Sequence, residues 1–357
     1  MKILVTKFKS IGDVLLITPL LENLFISFEG AQIDLVLKEG TSGLVSELPF
    51  INKIYQITPK KGLHGFIEAL SFFFEIRKNC YDIFIGTDRG ERTAIFSLIS
   101  GAKTRIGRNV EHLNPLYKKS FQHFFLFHGD RHIVDLNLDP IRILNKKIVS
   151  KRISINDPTR YYSSVKKLIP NEEDFIHVHP GSQCAYKSVS NSLMAKIIDF
   201  CQFDLKTKVV ITGSKSKEDI DQVDKILNLC NSNPVNLCGK TSISEVSAIN
   251  KLSRLLIVVD TAVMHVSSAN QIPVIAFFGP TAANNWGPVD SKNETCSYER
   301  IGGVQYCGIH TVIATNKNCV PCSNAGCNNS GKSDCLSDLN YDLVRKEIVH
   351  TLKNEVY

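Results

Sequence analysis

The stretch LLIVVDTAVMHVSSANQIPVIAFFGPT, residues 255 to 281, decides how this chain folds. Its apolar, β-branched run Leu255 to Val259 reads as a buried strand, and Asp260-Thr261 supplies a helix cap where that strand ends. Ala262 to Asn270 then reads as a short helix, and Val274 to Phe278 as a second strand running into the loop Gly279-Pro280-Thr281. A helix start in this place puts free backbone amides and a positive dipole end at the carboxyl edge of a sheet, where α/β folds bind phosphate. His265 follows Thr261 by four residues and shares its helix face. Taken alone, the same residues also describe an ordinary βαβ unit, with a plain N-cap and a satisfied core histidine.

The flanking sequence extends the pattern. Phe175 to His179 reads as a strand ending in Pro180-Gly181-Ser182, with Lys187 in the loop beyond, a combination able to cradle a diphosphate. Val209 to Thr212 is the next strand; it ends in Gly213-Ser214, and Lys217, Glu218 and Asp219 open a helix. An acid placed like Glu218 binds ribose hydroxyls in dinucleotide folds, and it equally complements a helix dipole. Val235 to Leu237 leads into Gly239-Lys240-Thr241-Ser242-Ile243.

The first half repeats the alternation. Ile3 to Thr6 is a strand, and Ser10-Ile11-Gly12-Asp13 turns it into a helix with apolar positions from Val14 to Leu24. Ile33 to Leu37 and Ile83 to Gly86 read as strands with a helix over Phe66 to Ile76 between them, so a parallel, doubly wound sheet is expected. Asp88 and Arg89 follow the last of these strands, and Arg131-His132 precedes a helix over Val134 to Leu144. The composition turns polar between Lys146 and Asn171, and the domains are drawn as 1–160 and 161–357.

Length agrees, since 357 residues suit two domains. With 43% hydrophobic and 22% charged residues the chain is expected to be globular. A formal charge of +7 favours an anionic partner, for which phosphorylated lipid and sugar nucleotide both qualify; the scattered Lys and Arg form no nucleic-acid-binding motif. No apolar run is long enough to span a bilayer, and Met1-Lys2 leads straight into a strand, so a cytosolic protein is expected. Most of its eleven cysteines are then reduced thiols or metal ligands. Cys319, Cys322, Cys327 and Cys335 stand close enough to hold a structural metal ion, or else form a loop of reduced cysteines. Apolar positions from Leu343 to Leu352 mark a terminal helix over Leu339 to Leu352 that packs back on the body.

Four separated motifs carry a family resemblance. They are the opening MKILVTKFKSIGDVLLITPLLENL, the segment from Pro180 to Lys187, the loop Leu237 to Ile243, and Asp260-Thr261 with Met264-His265, FFGPT and Trp286-Gly287-Pro288. Together they resemble the ADP-heptose:lipopolysaccharide heptosyltransferases, glycosyltransferase family 9, and NCVPCSNAGCNNSGKSDCL looks most like the branch that adds the third heptose of the inner core. Ala262 replaces a common glycine of that pattern, and Val189 a common tryptophan.

The resemblance implies an α/β GT-B architecture, two facing Rossmann-like domains with parallel sheets, the first binding acceptor and the second the ADP-sugar. It implies inverting transfer of heptose from ADP-heptose without a metal or other required cofactor. Asp13 is implied as the general base, or on the plainer reading as a helix cap. Ser182, Lys187, Glu218, Thr241, Asp260, Thr261 and His265 are implied on the donor side. Lys7, Arg89 and Arg131 are read as candidates for acceptor phosphates, or as solvated surface. A membrane-lipid acceptor implies peripheral contact with the inner membrane. Another acceptor, or a non-catalytic nucleotide-sugar-binding protein, stays open.

Overall fold

The computed structural model describes residues 1–58, 71–109, 115–126, 129–169, 174–295 and 297–354. The chain divides into two units, Met1–Asn156 and Asp157–Tyr357.

The N-terminal unit holds six strands: β1 (Lys2–Lys7), β2 (Gln32–Lys38), β3 (Lys53–Ile57), β4 (Ile83–Gly86), β5 (Thr104–Arg108) and β6 (His123–Phe125). They form one all-parallel sheet in the order β3-β2-β1-β4-β5-β6. The C-terminal unit holds β7 (Phe175–His179), β8 (Lys208–Ile211), β9 (Val235–Asn236), β10 (Leu255–Val259), β11 (Val274–Phe277), β12 (Gly303–Cys307) and β13 (His310–Ala314). Their order is β12-β13-β11-β10-β7-β8-β9, parallel except for the β12-β13 hairpin. In each sheet the strand order reverses direction once, between β1 and β4 and between β7 and β10, and the crevice outside such a switch point is where doubly wound folds bind ligands.

Residues 255 to 281 form the strand, helix and strand that their sequence predicts. All five β10 residues are fully buried, each contributing roughly 1.5–3 kcal/mol of hydrophobic stabilisation, and β10 registers against β7 and β11 on either side. A strand covered on both faces needs this continuous apolar run.

Two helices expected as single rods are broken. The first runs Ile11–Leu15 and resumes as Thr18–Ser27, with Pro19 in the new first turn; the second runs Ile133–Asn137 and resumes as Asp139–Ile143, with Pro140 in the same place. Proline disfavours the helical conformation of the residue before it and lacks the N–H the preceding turn needs, so each run restarts there. Thr18 Oγ1 donates to the Leu15 carbonyl at 2.7 Å and satisfies one of the acceptors the break exposes. Of the helix read over Phe66 to Ile76, residues 66–70 lie outside the described residues, and 71–78 are helical. The hairpin β12-β13 was not anticipated; its strands lack the uniform apolar run of β10. The C-terminal helix runs Tyr341–Asn354 and packs on β13 and the helix Asn191–Phe203. Among the described residues no helix is long and apolar enough to cross a membrane.

Candidate functional site

In the C-terminal unit the loops after β7, β8, β9 and β10 enclose a cavity of about 790 Å³. Gly181 and Ser182 come from the loop after β7, Gly213 to Ser216 from that after β8, Thr241 and Ser242 from that after β9, and Thr261 to Val263 from the helix start after β10. Gly181 is needed for close packing: a Cβ there would lie 2.8 Å from the Asp219 carboxylate.

Three helices begin at this cavity, Lys217–Leu227, Ile243–Leu252 and Ala262–Asn270. The caps differ. Ser216 accepts from the Asp219 amide, and Ser242 and Glu245 form a reciprocal capping box, so both helix starts spend an amide on their own side chains. Thr261 occupies the N-cap position of the third helix and makes no side-chain capping bond. Its first-turn amides and its hydroxyl are therefore donors this cavity offers an anion, beside Ser182 and the loop residues Ser214, Lys215 and Ser216. Ala262, in place of the family's glycine, lies in this first turn against the cavity.

Beside that start, Lys187 Nζ pairs with Asp260 Oδ2 at 2.7 Å across the β7/β10 switch point. Burial works against the Lys187 charge, but Asp260, by its charge and hydrogen bonding, outweighs it and holds the lysine pKa above its ordinary value. The side chain keeps 20% exposure, so this is a cation held in place and still accessible. Ser182 Oγ reaches the Asp260 carbonyl at 3.5 Å. Val189, in place of the family's tryptophan, is buried in the core just before the Ser190 cap of the next helix.

Of the donor-side residues read from sequence, Ser182, Glu218, Thr241 and Thr261 line the cavity, with Glu218 exposed at its rim and the Thr241 hydroxyl buried. Lys187 and Asp260 stand behind the loop as a pair, and His265 is buried one turn inside the third helix. Sequence reasoning missed the floor. Asp219, buried next to the chosen Glu218, accepts from the Ser214 amide at 2.8 Å and so closes the turn after β8. His177 and His179 both contact the Thr212 hydroxyl, at 2.7 and 2.8 Å. Burial keeps both rings neutral, pushing His179 down to about 4 and His177 well below its ordinary range. Alternation along β7 was the available signal for the histidines: positions 177 and 179 point to one side of the strand.

In the N-terminal unit, Asp13 sits in the first turn of the helix after β1, where Ser10 Oγ donates to its Oδ2 at 2.7 Å. Lys7 differs from expectation. As the last residue of β1 it is 1% exposed, its ammonium 3.0 Å from Asp88 Oδ1 and 3.8 Å from Asp13 Oδ1. Buried beside Asp88 and Asp13, it is committed to protein carboxylates and is no open contact for acceptor phosphate. Arg131 is likewise engaged by Asp135 and Asp139, both of which also pair with Arg142. Arg89 is exposed.

The cysteine loop is a brace. Its four cysteines are free, with Cys319 exposed and Cys335 buried, and among the described residues no group of three or more His, Cys, Asp or Glu is disposed to hold a metal ion. Burial, with the neighbouring thiols, pushes Cys335 up to about 11. The loop ties the donor-side segments together: Ser333 Oγ donates to the Tyr186 carbonyl at 2.6 Å, and the Ser323 amide to the Pro280 carbonyl at 2.7 Å.

Residues 69–304, well over half of the chain, match glycosyltransferase family 9 (heptosyltransferase). Lipopolysaccharide heptosyltransferase 3 of Escherichia coli K12 is 30% identical over 285 residues, covering 78% of this chain and 82% of that protein. Among solved structures, a family 9 glycosyltransferase from Veillonella parvula superposes with a TM-score of 0.79 at 21% identity, over 99% of this chain and 97% of that one. The E. coli ADP-heptose lipopolysaccharide heptosyltransferase II does so with 0.78 at 18% identity, over the whole of both chains. The fold is therefore GT-B.

Proposed function

The chain belongs to glycosyltransferase family 9, the heptosyltransferases, and from that premise we propose that it transfers L-glycero-D-manno-heptose from ADP-heptose to a heptose of the lipopolysaccharide inner core, the step that adds a third heptose. The observation that carries the donor half is the cavity in the C-terminal unit, lined by an uncapped helix start whose preceding residue, Asp260, holds Lys187 charged.

In this reading the diphosphate lies on the amides following Thr261, with the Thr261 and Ser182 hydroxyls beside it. As the bond from the anomeric carbon to phosphate breaks, negative charge grows on the departing ADP. Lys187 and the helix amides meet that charge and need no rearrangement to do so. Asp260 keeps the lysine charged and aimed, and His265 steadies the same helix turn. Glu218 and Thr241 take the nucleoside side. Asp13 accepts the proton that the attacking hydroxyl loses as it bonds to the opposite face of the anomeric carbon, which inverts the configuration. Of the basic residues considered for acceptor phosphate, Arg89 is the one the fold leaves exposed. A lipid-linked acceptor places this work at the cytoplasmic face of the inner membrane, with the protein in peripheral contact.

The test is product formation from ADP-heptose on purified cores that carry none, one or two heptoses. A mass gain of one heptose on the two-heptose core alone supports the third-heptose step. Gain on the one-heptose core alone moves the chain to the preceding step, and bound ADP-heptose with no gain on any core removes the acceptor assignment.

A further inference from the structure

We propose that Asp88 is a positioning residue for Asp13: it holds the Lys7 ammonium against itself, so that a cation stays near the Asp13 carboxylate without occupying it. The inference rests on Asp13 being the base.

The geometry is asymmetric in a way the chemistry explains. Lys7 Nζ lies 3.0 Å from Asp88 but 3.8 Å from Asp13, and side-chain exposure rises along the row from 2% at Lys7 and 5% at Asp88 to 17% at Asp13. Contact with Asp88 is within hydrogen-bonding distance and contact with Asp13 is beyond it. A lysine bonded directly to Asp13 would fill the lone pair that must take the acceptor's proton. Removing every cation would leave Asp13 beside a second carboxylate and favour its protonated form. At the observed spacing the Asp13 oxygen stays available while an opposite charge stands 3.8 Å from it.

Asp88 is fixed for this task. Thr87 Oγ1 donates to the Thr6 carbonyl at 2.7 Å, joining the ends of β4 and β1, and Asp88 Oδ2 accepts the Phe8 amide. Other charged or titratable groups stand around the cluster among the described residues. Arg108, at the end of β5, is buried; burial, followed by Arg89, lowers its pKa, while Asp88 and Asp13 work the other way. Arg89 is exposed next to Asp88, and the Tyr117 hydroxyl lies against the Asp88 and Arg108 carbonyls at 3.2 and 2.9 Å. Ser10 holds the remaining Asp13 oxygen.

The test is the pH profile of kcat for ADP release with ADP-heptose and a core acceptor. Asp88→Asn keeps the shape and the carbonyl that accepts from Phe8, but releases Lys7 to Asp13. The acid limb should then move down by about one pH unit and the plateau fall about tenfold, with donor KM unchanged. Lys7→Met should move the acid limb up by about one unit. Because that variant leaves Asp88 buried and unpaired, Lys7→Met/Asp88→Asn is made alongside it, removing both charges together; its limb should lie above that of Asp88→Asn. Singles that move the limb the same way, or a double variant that matches Asp88→Asn, overturn the proposal. Asp13→Asn separates this from the premise: a loss of turnover there with unmoved limbs in the Asp88 and Lys7 variants defeats only the positioning role, whereas unchanged turnover defeats the base itself.

Discussion

The two units place a lysine–aspartate pair at the same topological position and use it differently. Lys7 and Asp88 bridge β1 and β4, and Lys187 and Asp260 bridge β7 and β10, in each case the strands where the sheet order reverses. In the first pair the lysine is part of the strand, almost wholly buried, and faces a second carboxylate. In the second it stands on a turn eight residues beyond the strand, keeps some exposure, and is paired with the residue that precedes the uncapped helix start at Thr261. The fold thus dictates where charge collects, while the distance of the lysine from its strand decides whether that charge is buried between carboxylates or keeps access to solvent.

The sharpest way to break this contrast is at Asp13. Asp13→Asn should lower kcat by about a thousandfold, in the range a general base contributes, and leave ADP binding by calorimetry unchanged. Equal loss of ADP affinity would mean that the N-terminal pair serves the donor as well. Lys187→Met should act the other way round, weakening ADP binding roughly 10- to 100-fold, as expected when a charge-assisted hydrogen bond is lost. Unchanged affinity would make the second pair as internal as the first.

Acid should separate the units next. His177, His179 and His310 are all in the C-terminal unit and all held neutral by burial, His179 and His310 down to about 4. Their folded pKa lies below the ordinary 6.5, so the unfolded chain binds more protons in between, and stability present above pH 6.5 is lost as the pH falls toward 4. The loss is at most about 1.4 kcal/mol per pH unit for each histidine. In the N-terminal unit burial raises Asp135, but Arg131 and Arg142 outweigh it and hold the carboxyl at about 2. Its contribution is present above the ordinary 3.8 and is lost only as the pH falls from there through 2. Thermal melts between pH 7 and 4, with Trp286 reporting on the C-terminal unit, should show that unit softening first. The smallest effect is expected from Ser242→Ala, which removes a capping box from a cavity-facing helix and should cost about 1 kcal/mol in denaturant melts.

How much of this was legible beforehand follows from the range of each interaction. The β10 run, the helix after Thr261 and the strand ends at Gly181, Gly213 and Thr241 could be read because periodicity, caps and turn residues act within a few positions. The cavity's lining at Ser182, Glu218, Thr241 and Thr261 follows from those strand ends. The breaks before Pro19 and Pro140 are equally local, but the apolar spacing continues across them and hides them. Sequence does not distinguish Glu218 from Asp219, since both open the same helix and only the fold turns Asp219 inward against Gly181.

By itself, then, the sequence determined two α/β repeats, their strand ends, a family and the donor-side loops, since neighbours along the chain encode these. Tertiary structure alone decided that Lys7 is buried between Asp88 and Asp13, that Lys187 belongs to Asp260, that two histidines share the Thr212 hydroxyl, and that the cysteine loop ties down Tyr186 and Pro280. Each of these joins residues from separate segments of chain, and a lysine's environment, whether solvent, ligand or buried carboxylate, is fixed only when the sheet brings those segments side by side.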